Sequence, residues 1–306
     1  MKTPPLPPGA RVGLALGGGG ARGWAHLGVL RALKEHNIQP VAIAGTSIGA
    51  LVGGFLAAGK LHHLQDIAEH LDLKQLLTLF AEPSLPRSGL IEGQKITALL
   101  REKLQATDLA RLPVPFRAVA SDIITGEQIV LDQGDLSTAI RASIAIPGLF
   151  ATVPWNGRHL ADGGLVNPLP INIVRTLNVN YVIAVDLHGG WRHPASPPPA
   201  TFKPSPPSTP SWIEKQRRHL KVASKDALRK WLRPAPGPSI ITVMTNTIDI
   251  VAARLTRETL SRHPADLLIQ PQLGDIGHLE FHRYSEASNA GYTAALHALK
   301  HTGQQG

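Results

Sequence analysis

The chain has 306 residues, 43% of them apolar, and a formal net charge of +9. That length suits one large α/β unit, and the apolar share is enough for a sizeable core. There is no cysteine, which excludes disulfides, a thiol nucleophile and a cysteine-based metal site. No stretch approaches 18 uninterrupted apolar residues, so no transmembrane helix is expected. Four prolines precede the first short apolar run, which leaves no room for a signal-peptide core. The expected setting is the cytoplasm, with peripheral contact to the inner face of a membrane.

Residues 1–10 read as a proline-rich lead. Val12 to Leu16 reads as a strand, Gly17 to Gly23 as a glycine-rich turn, and Trp24 to Leu33 as a helix. Gly18, Gly20 and Gly23 satisfy G-x-G-x-x-G, the spacing of a dinucleotide-binding turn. That site also needs an acid at the end of the second strand. Here the second strand ends in Ala44-Gly45-Thr46-Ser47, so the fingerprint is incomplete. Consecutive glycines also expose backbone N–H groups, and beside an activated serine these form an oxyanion hole. Arg22 is placed to brace this loop or to bind a phosphate; the alternative is a solvated side chain.

Val41 to Leu56, VAIAGTSIGALVGGFL, is the stretch around which the rest is organised. Gly45-Thr46-Ser47-Ile48-Gly49 is G-x-S-x-G between a predicted strand and a predicted helix, the context of a nucleophile elbow. Sharp reversal strains the central residue and leaves little room for side chains beside it, hence Gly45 and Gly49. The plainer alternative is a strand–helix turn in which Ser47 only caps the helix.

Residues 61–80 have helical spacing at Leu64, Ile67, Ala68 and Leu71. His62, His63 and His70 lie there without a carboxylate at ligand spacing, and read as a solvated face. Glu82 to Gly89 reads as a loop and Leu90 to Leu104 as a helix. Phe116 to Ser121 and Glu127 to Leu131 read as strands joined by a turn that Asp122 caps. Leu136 to Ser143 reads as a helix and Leu149 to Val153 as a strand. Asp162 precedes two glycines, Gly163 and Gly164, so its carboxylate falls in a tight loop. A helix near Ile171 to Leu177 and a strand from Tyr181 to Asp186 follow.

His188 to Pro238 differs in composition. Pro- and Ser-rich runs flank Trp212 to Trp231, in which Trp212, Gln216, Leu220, Ala223, Ala227 and Trp231 share one helical face. From Trp212 to Arg233 there are eight Lys or Arg against two acids, +6 of the chain's +9. A basic amphipathic helix at about 212–232 reads as a binder of an anionic membrane surface, or as a lid packed on the domain. No nucleic-acid motif accompanies the basic charge. Ser239 to Met244 reads as a strand, Thr247 to Arg262 as a helix, Asp266 to Gln270 as a late strand, and Ser285 to Leu299 as the closing helix.

Taken together, Gly18 to Gly23, Gly45 to Gly49 and Asp162 to Gly164 resemble the patatin-like phospholipase family, in that family's order. The likeness continues through Ala120 to Gly126, Ala139 to Phe150 and Pro264 to His282. It is nearest to the bacterial branch related to neuropathy-target-esterase catalytic domains. One departure is Gly17, where plant patatins carry an acid.

The resemblance implies a three-layer α/β fold, a mainly parallel central sheet with helices on both faces. Residues 11–188 and 239–300 would form the hydrolase domain, and 189–238 an insertion. It implies a dyad in which Ser47 attacks an ester carbonyl and Asp162 moves the proton. Gly18, Gly19 and Gly20 hold the oxyanion, with Arg22, Gly23, Gly45, Gly49, Gly163 and Gly164 in support. No cofactor or metal is required. A carboxylate base needs a dry site that raises its pKa. A histidine base, with His159 nearest in sequence, is the rival. The expected substrate is a phospholipid or lysophospholipid ester. The alternatives are a carboxylesterase or thioesterase on soluble acyl groups, and a lipid-surface regulator without turnover.

Overall fold

The computed structural model describes residues 6–71, 75, 91–189 and 240–301. Parallel strands β1 (Val12–Leu16), β2 (Ala42–Thr46) and β3 (Phe116–Asp122) form the centre of the sheet. β4 (Gln128–Leu131) and β6 (Arg158–Asp162) pair antiparallel with β3, and β5 (Val153–Trp155) pairs antiparallel with β6. On the other side of β1 lie β7 (Tyr181–Val185) and β8 (Leu267–Ile269), both parallel. The path through the sheet is β5-β6-β3-β2-β1-β7-β8, with β4 attached to β3.

Strand alternation separates two cores. Val12, Leu14 and Leu16 of β1 face one cluster, while Ala15 faces the other. The first cluster takes its helical side from α1 (Ala25–Glu35), α2 (Ile48–Ala57), α3 (Leu61–His70), α4 (Gln94–Leu104) and α5 (Leu136–Ser143). The second holds the small residues Ala15, Ala42, Ala44 and Ala184 against α6 (Ile171–Val174). Two further helices, α7 (Ile240–Arg262) and α8 (Tyr284–His301), complete the described elements. Both faces of the sheet are therefore covered, as the sequence led one to expect.

The edge of β3 carries an arrangement that matters for the site. The Pro115 carbonyl accepts the Ile43 N–H at 2.9 Å, and the Ile123 N–H donates to the His159 carbonyl at 3.0 Å. These two positions are an even number of residues apart, so they point to the same edge. β2 and β6 thus occupy one edge of β3 from opposite directions. Thr46 is in register with Val119, and Asp162 with the next residue, Ala120. The two strands run toward each other and stop end to end.

Two local expectations change. The strand expected over Ser239 to Met244 is overturned from Ile240 onward: helix α7 covers Ile240 to Met244 and continues unbroken to Arg262. The β-branched run Ile240, Ile241, Thr242 and Val243 gives a local strand signal. It is overridden by a helix that buries Asp249, Ala252 and Thr256 along one stripe. Leu149 to Val153 is a turn with one bridge, Ile91 to Phe150, and β5 begins only at Val153.

Contacts divide the chain into two units, Met1–Arg192 with Met244–Gly306, and His193–Val243. The expected amphipathic helix at 212–232 and the expected loop at Glu82 to Gly89 lie outside the described residues.

Candidate active site

Ser47 sits between β2 and α2 with φ 55° and ψ −125°, a conformation that a residue with a Cβ adopts only under constraint. The flanking glycines explain how it is held. A Cβ on Gly45 would lie 2.3 Å from the Gly49 carbonyl oxygen, and one on Gly49 would lie 2.2 Å from that of Leu16. The strand and the helix cross too closely for any other residue. Ser47 is placed at the N-terminus of α2, where the helix dipole favours negative charge.

Asp162 ends β6, and the end-to-end meeting of β6 with β2 brings it to Ser47. Ser47 Oγ donates to Asp162 Oδ2 at 2.6 Å. The other oxygen, Oδ1, accepts the Gly164 N–H at 2.7 Å, which fixes the carboxylate's orientation. Gly163 is required here as well, since its Cβ would fall 2.2 Å from the Val119 carbonyl oxygen. Both side chains are buried. Burial pushes the Asp162 pKa up to about 6, against the opposing hydrogen bonds from Ser47 and Gly164. The carboxylate is thereby nearer to the basicity that proton transfer requires, without a histidine.

The histidines lie elsewhere. His159 is exposed on β6 and engages the fold through its backbone. His26 is fully buried beneath the glycine loop, where its Nε2 donates to the Gly17 carbonyl at 2.8 Å. Burial pushes its pKa down to about 4, so it is a neutral structural donor.

The glycine loop is fixed from several sides. Gly17 N–H donates to the Val185 carbonyl at 3.0 Å, and Gly18 N–H to the Pro168 carbonyl at 2.9 Å. Gly18 therefore differs from its expected place among the oxyanion donors: its N–H is engaged, and it abuts Ser47. The N–H groups of Gly19 and Gly20 have no protein acceptor among the described residues. Gly20 has φ +58°, and a Cβ there would lie 2.5 Å from the His278 carbonyl oxygen. Arg22 is buried rather than solvated. Its Nε donates to the Gly19 carbonyl at 3.2 Å and its Nη2 to Asp249 on α7. It braces the loop, one of the two roles expected of it.

Sequence reasoning missed Ser143. Its Oγ accepts the Ser47 N–H at 2.9 Å and donates to the Val119 carbonyl at 2.6 Å, filling the gap where β2 and β6 meet. It also missed Asp249, His188 and His278, which converge behind the glycine loop. A lone Ser or His in these segments carries no local signal. Asp122 has the expected capping role: Oδ1 accepts the Ile124 and Thr125 N–H groups and Oδ2 pairs with Arg158. Those turn N–H groups, with Arg158, hold its pKa below the usual carboxylate value.

Two recesses open on Ser47. One is an almost wholly apolar cavity of about 130 Å³, with Trp24, Leu51, Phe55, Leu100, Phe150 and Phe281 in its wall. The other is smaller, with Gly19, Gly20, Asp162, His188 and His278 among its walls. Among the described residues, no group of His, Asp or Glu side chains is arranged to hold a metal ion. No helix among them is long and apolar enough to cross a membrane.

Residues 14–175 match the family model described as patatin-like phospholipase. An uncharacterized NTE family protein of Mycobacterium tuberculosis is 36% identical over 95% of this chain and 91% of its own length. A patatin-like phospholipase domain-containing protein of Caenorhabditis elegans is 33% identical over 58% of this chain and 14% of its own. Among solved structures, VipD from Legionella pneumophila superimposes with a TM-score of 0.51 at 15% identity, covering 96% of this chain and 67% of VipD. At that identity the likeness bears on the fold alone.

Proposed function

The chain belongs to the patatin-like phospholipase family, and from that premise and the geometry of its site we propose that it is a serine acyl hydrolase of phospholipid or lysophospholipid esters. One observation carries the reading: the strained, buried Ser47 donates to a buried carboxylate of raised pKa at 2.6 Å.

Ser47 Oγ attacks the ester carbonyl carbon and its proton passes to Asp162 Oδ2. The carbonyl oxygen gains negative charge and takes hydrogen bonds from Gly19 and Gly20 N–H, with the α2 N-terminus adding its dipole. Collapse of the tetrahedral intermediate expels the alcohol, which receives the proton held by Asp162. Water then attacks the acyl-enzyme, again losing a proton to Asp162, and the fatty acid leaves as Ser47 Oγ is reprotonated. The larger apolar cavity suits the acyl chain. Gly18 serves as scaffold, because its N–H is engaged.

The basic sequence at 212–232 supports a substrate presented on an anionic lipid surface. The test is hydrolysis of mixed phospholipid vesicles and of a short p-nitrophenyl ester, wild type beside Ser47→Ala, with products identified by mass spectrometry. Fatty acid and lysophospholipid released by wild type alone are the expected result. Ester cleavage without lipid cleavage would move the assignment to a soluble carboxylesterase. Activity that survives Ser47→Ala would remove Ser47 from the chemistry.

A further inference from the structure

Behind the glycine loop lies a buried polar cluster that the proposed chemistry does not use. Asp249 comes from α7, Arg22 from the short 3-10 turn Gly20–Trp24, His188 from the segment after β7, and His278 from the segment before α8. All four are at most 9% exposed. Asp249 Oδ1 is the shared acceptor. Arg22 Nη2 donates to it, His278 Nε2 lies 2.6 Å away and His188 Nε2 3.4 Å away. His278 Nε2 also lies 2.8 Å from Arg22 Nη2, so the imidazole is wedged between the guanidinium and the carboxylate, and its tautomer decides which of the two it bonds. Burial alone would push the Asp249 pKa up, but the bonds from His188 and His278 and the Arg22 charge outweigh it and hold the group ionised.

Two members of the cluster are also bonded to the loop. Arg22 Nε donates to the Gly19 carbonyl, and the His278 carbonyl accepts the Ala21 N–H at 2.9 Å. Residues 19 and 21 are therefore held on either side of Gly20, which has a positive φ and borders the recess at Ser47. A glycine-rich loop has the least intrinsic preference for any one conformation, so its geometry has to be imposed from outside.

We propose that Asp249 is a positioning residue: through Arg22 and His278 it fixes the Gly19 and Gly20 N–H groups at the distance that the developing oxyanion requires. It touches neither substrate nor the reacting atoms. The proposal rests on the acyl-hydrolase reading for its kinetic consequence, but its structural consequence stands without it.

The experiment compares the full-length wild type with Asp249→Asn, which keeps the shape and removes the charge. The fraction of competent sites is titrated with a fluorophosphonate, and kcat and KM on a short ester are expressed per titrated site. A loss of about 10²-fold in kcat with KM unchanged is expected, the scale on which a misplacement of about 1 Å acts. Backbone hydrogen exchange over residues 17–24 should rise while β1 and β2 stay protected. Arg22→Ala combined with Asp249→Ala should lose no more kcat than the worse single variant, because both act through one brace. A residue that only stabilises the fold would lower the titrated fraction and leave kcat per site at the wild-type value; that result overturns the proposal. Unchanged exchange over 17–24 also overturns it. Should Asp249→Asn fail to fold, His188→Gln and His278→Gln weaken the same hold one partner at a time. They should show smaller losses of kcat at constant KM, and wild-type kcat and exchange in both would overturn the proposal. A wild-type chain that neither hydrolyses ester nor reacts with fluorophosphonate would defeat the hydrolase reading, while exchange would still decide the brace.

Discussion

The backbone N–H of Ser47 donates to Ser143 Oγ at 2.9 Å, across 96 residues of sequence. The same hydroxyl donates to the Val119 carbonyl at 2.6 Å. One small side chain thus satisfies two buried backbone groups at the place where the sheet ladder is interrupted. Ser143→Ala leaves both without a partner, and each buried orphan costs about 1–3 kcal/mol. The expected outcome is a stability loss of about 2–6 kcal/mol in urea unfolding, together with slower fluorophosphonate labelling of Ser47. Wild-type values of both would show that Ser143 has no part in holding the elbow.

Asp162→Asn separates chemistry from stability. Turnover should fall by about 10²–10⁴-fold, the range of a lost general base. The folded pKa of about 6 lies above the unfolded value, 3.8. Between those two values the folded state holds a proton that the unfolded chain has released, so stability falls as pH rises through the window. Above pH 6 the full cost remains, about 3 kcal/mol for two pKa units. The variant should therefore unfold at a higher urea concentration than wild type at pH 8, and the advantage should vanish near pH 4. Denaturation midpoints at the two pH values check this. In wild type, kcat/KM should climb with pH through about 6 and then level off.

The signals that the sequence carried were those written in local backbone geometry. Gly45, Gly49 and Gly163 are glycine because a Cβ would strike a neighbouring carbonyl, and Ser47 and Asp162 stand beside them. Strand β1 and helix α5 have the bounds read from the sequence. What stayed hidden depends on distant partners. Ser143, His188, Asp249 and His278 acquire meaning only when four separate segments converge, and nothing in their own neighbourhoods announces it. Gly18 misled for a related reason: three consecutive glycines look equivalent, and only the approach of Pro168 removes one N–H from use. The Ile240 to Met244 stretch misled through β-branched propensity, which tertiary burial overrode.

Chain-length preference should follow the apolar cavity. Leu51 lies in its wall one helical turn beyond Ser47. Leu51→Trp places a larger ring in that space. The ratio of kcat/KM for a long-chain p-nitrophenyl ester to that for the butyrate should fall about 10-fold or more, in line with the 1–3 kcal/mol that each methylene contributes to pocket discrimination. A ratio equal to that of wild type would place the acyl chain elsewhere.

The basic segment makes a separate expectation, drawn from sequence alone. Removing 200–236 takes away all of the +6 charge concentrated between Trp212 and Arg233. Each basic residue near an anionic leaflet contributes about 1 kcal/mol. Sedimentation with phosphatidylserine-containing vesicles should drop at least 10-fold in partition coefficient, while cleavage of a short soluble ester continues. Vesicle binding equal to that of the full chain would end the membrane role for this segment.

Ser47 and Asp162 are 115 residues apart in the chain. Their separation in space is nonetheless set by one peptide unit, Val119 to Ala120, against which β2 and β6 terminate. Leu51 and Leu100, on α2 and α4, line the apolar cavity and lie outside that meeting point. Substitutions in that wall can reshape what is accepted without retuning the reacting pair. Substrate choice and chemical competence are thereby separately heritable traits of a single polypeptide.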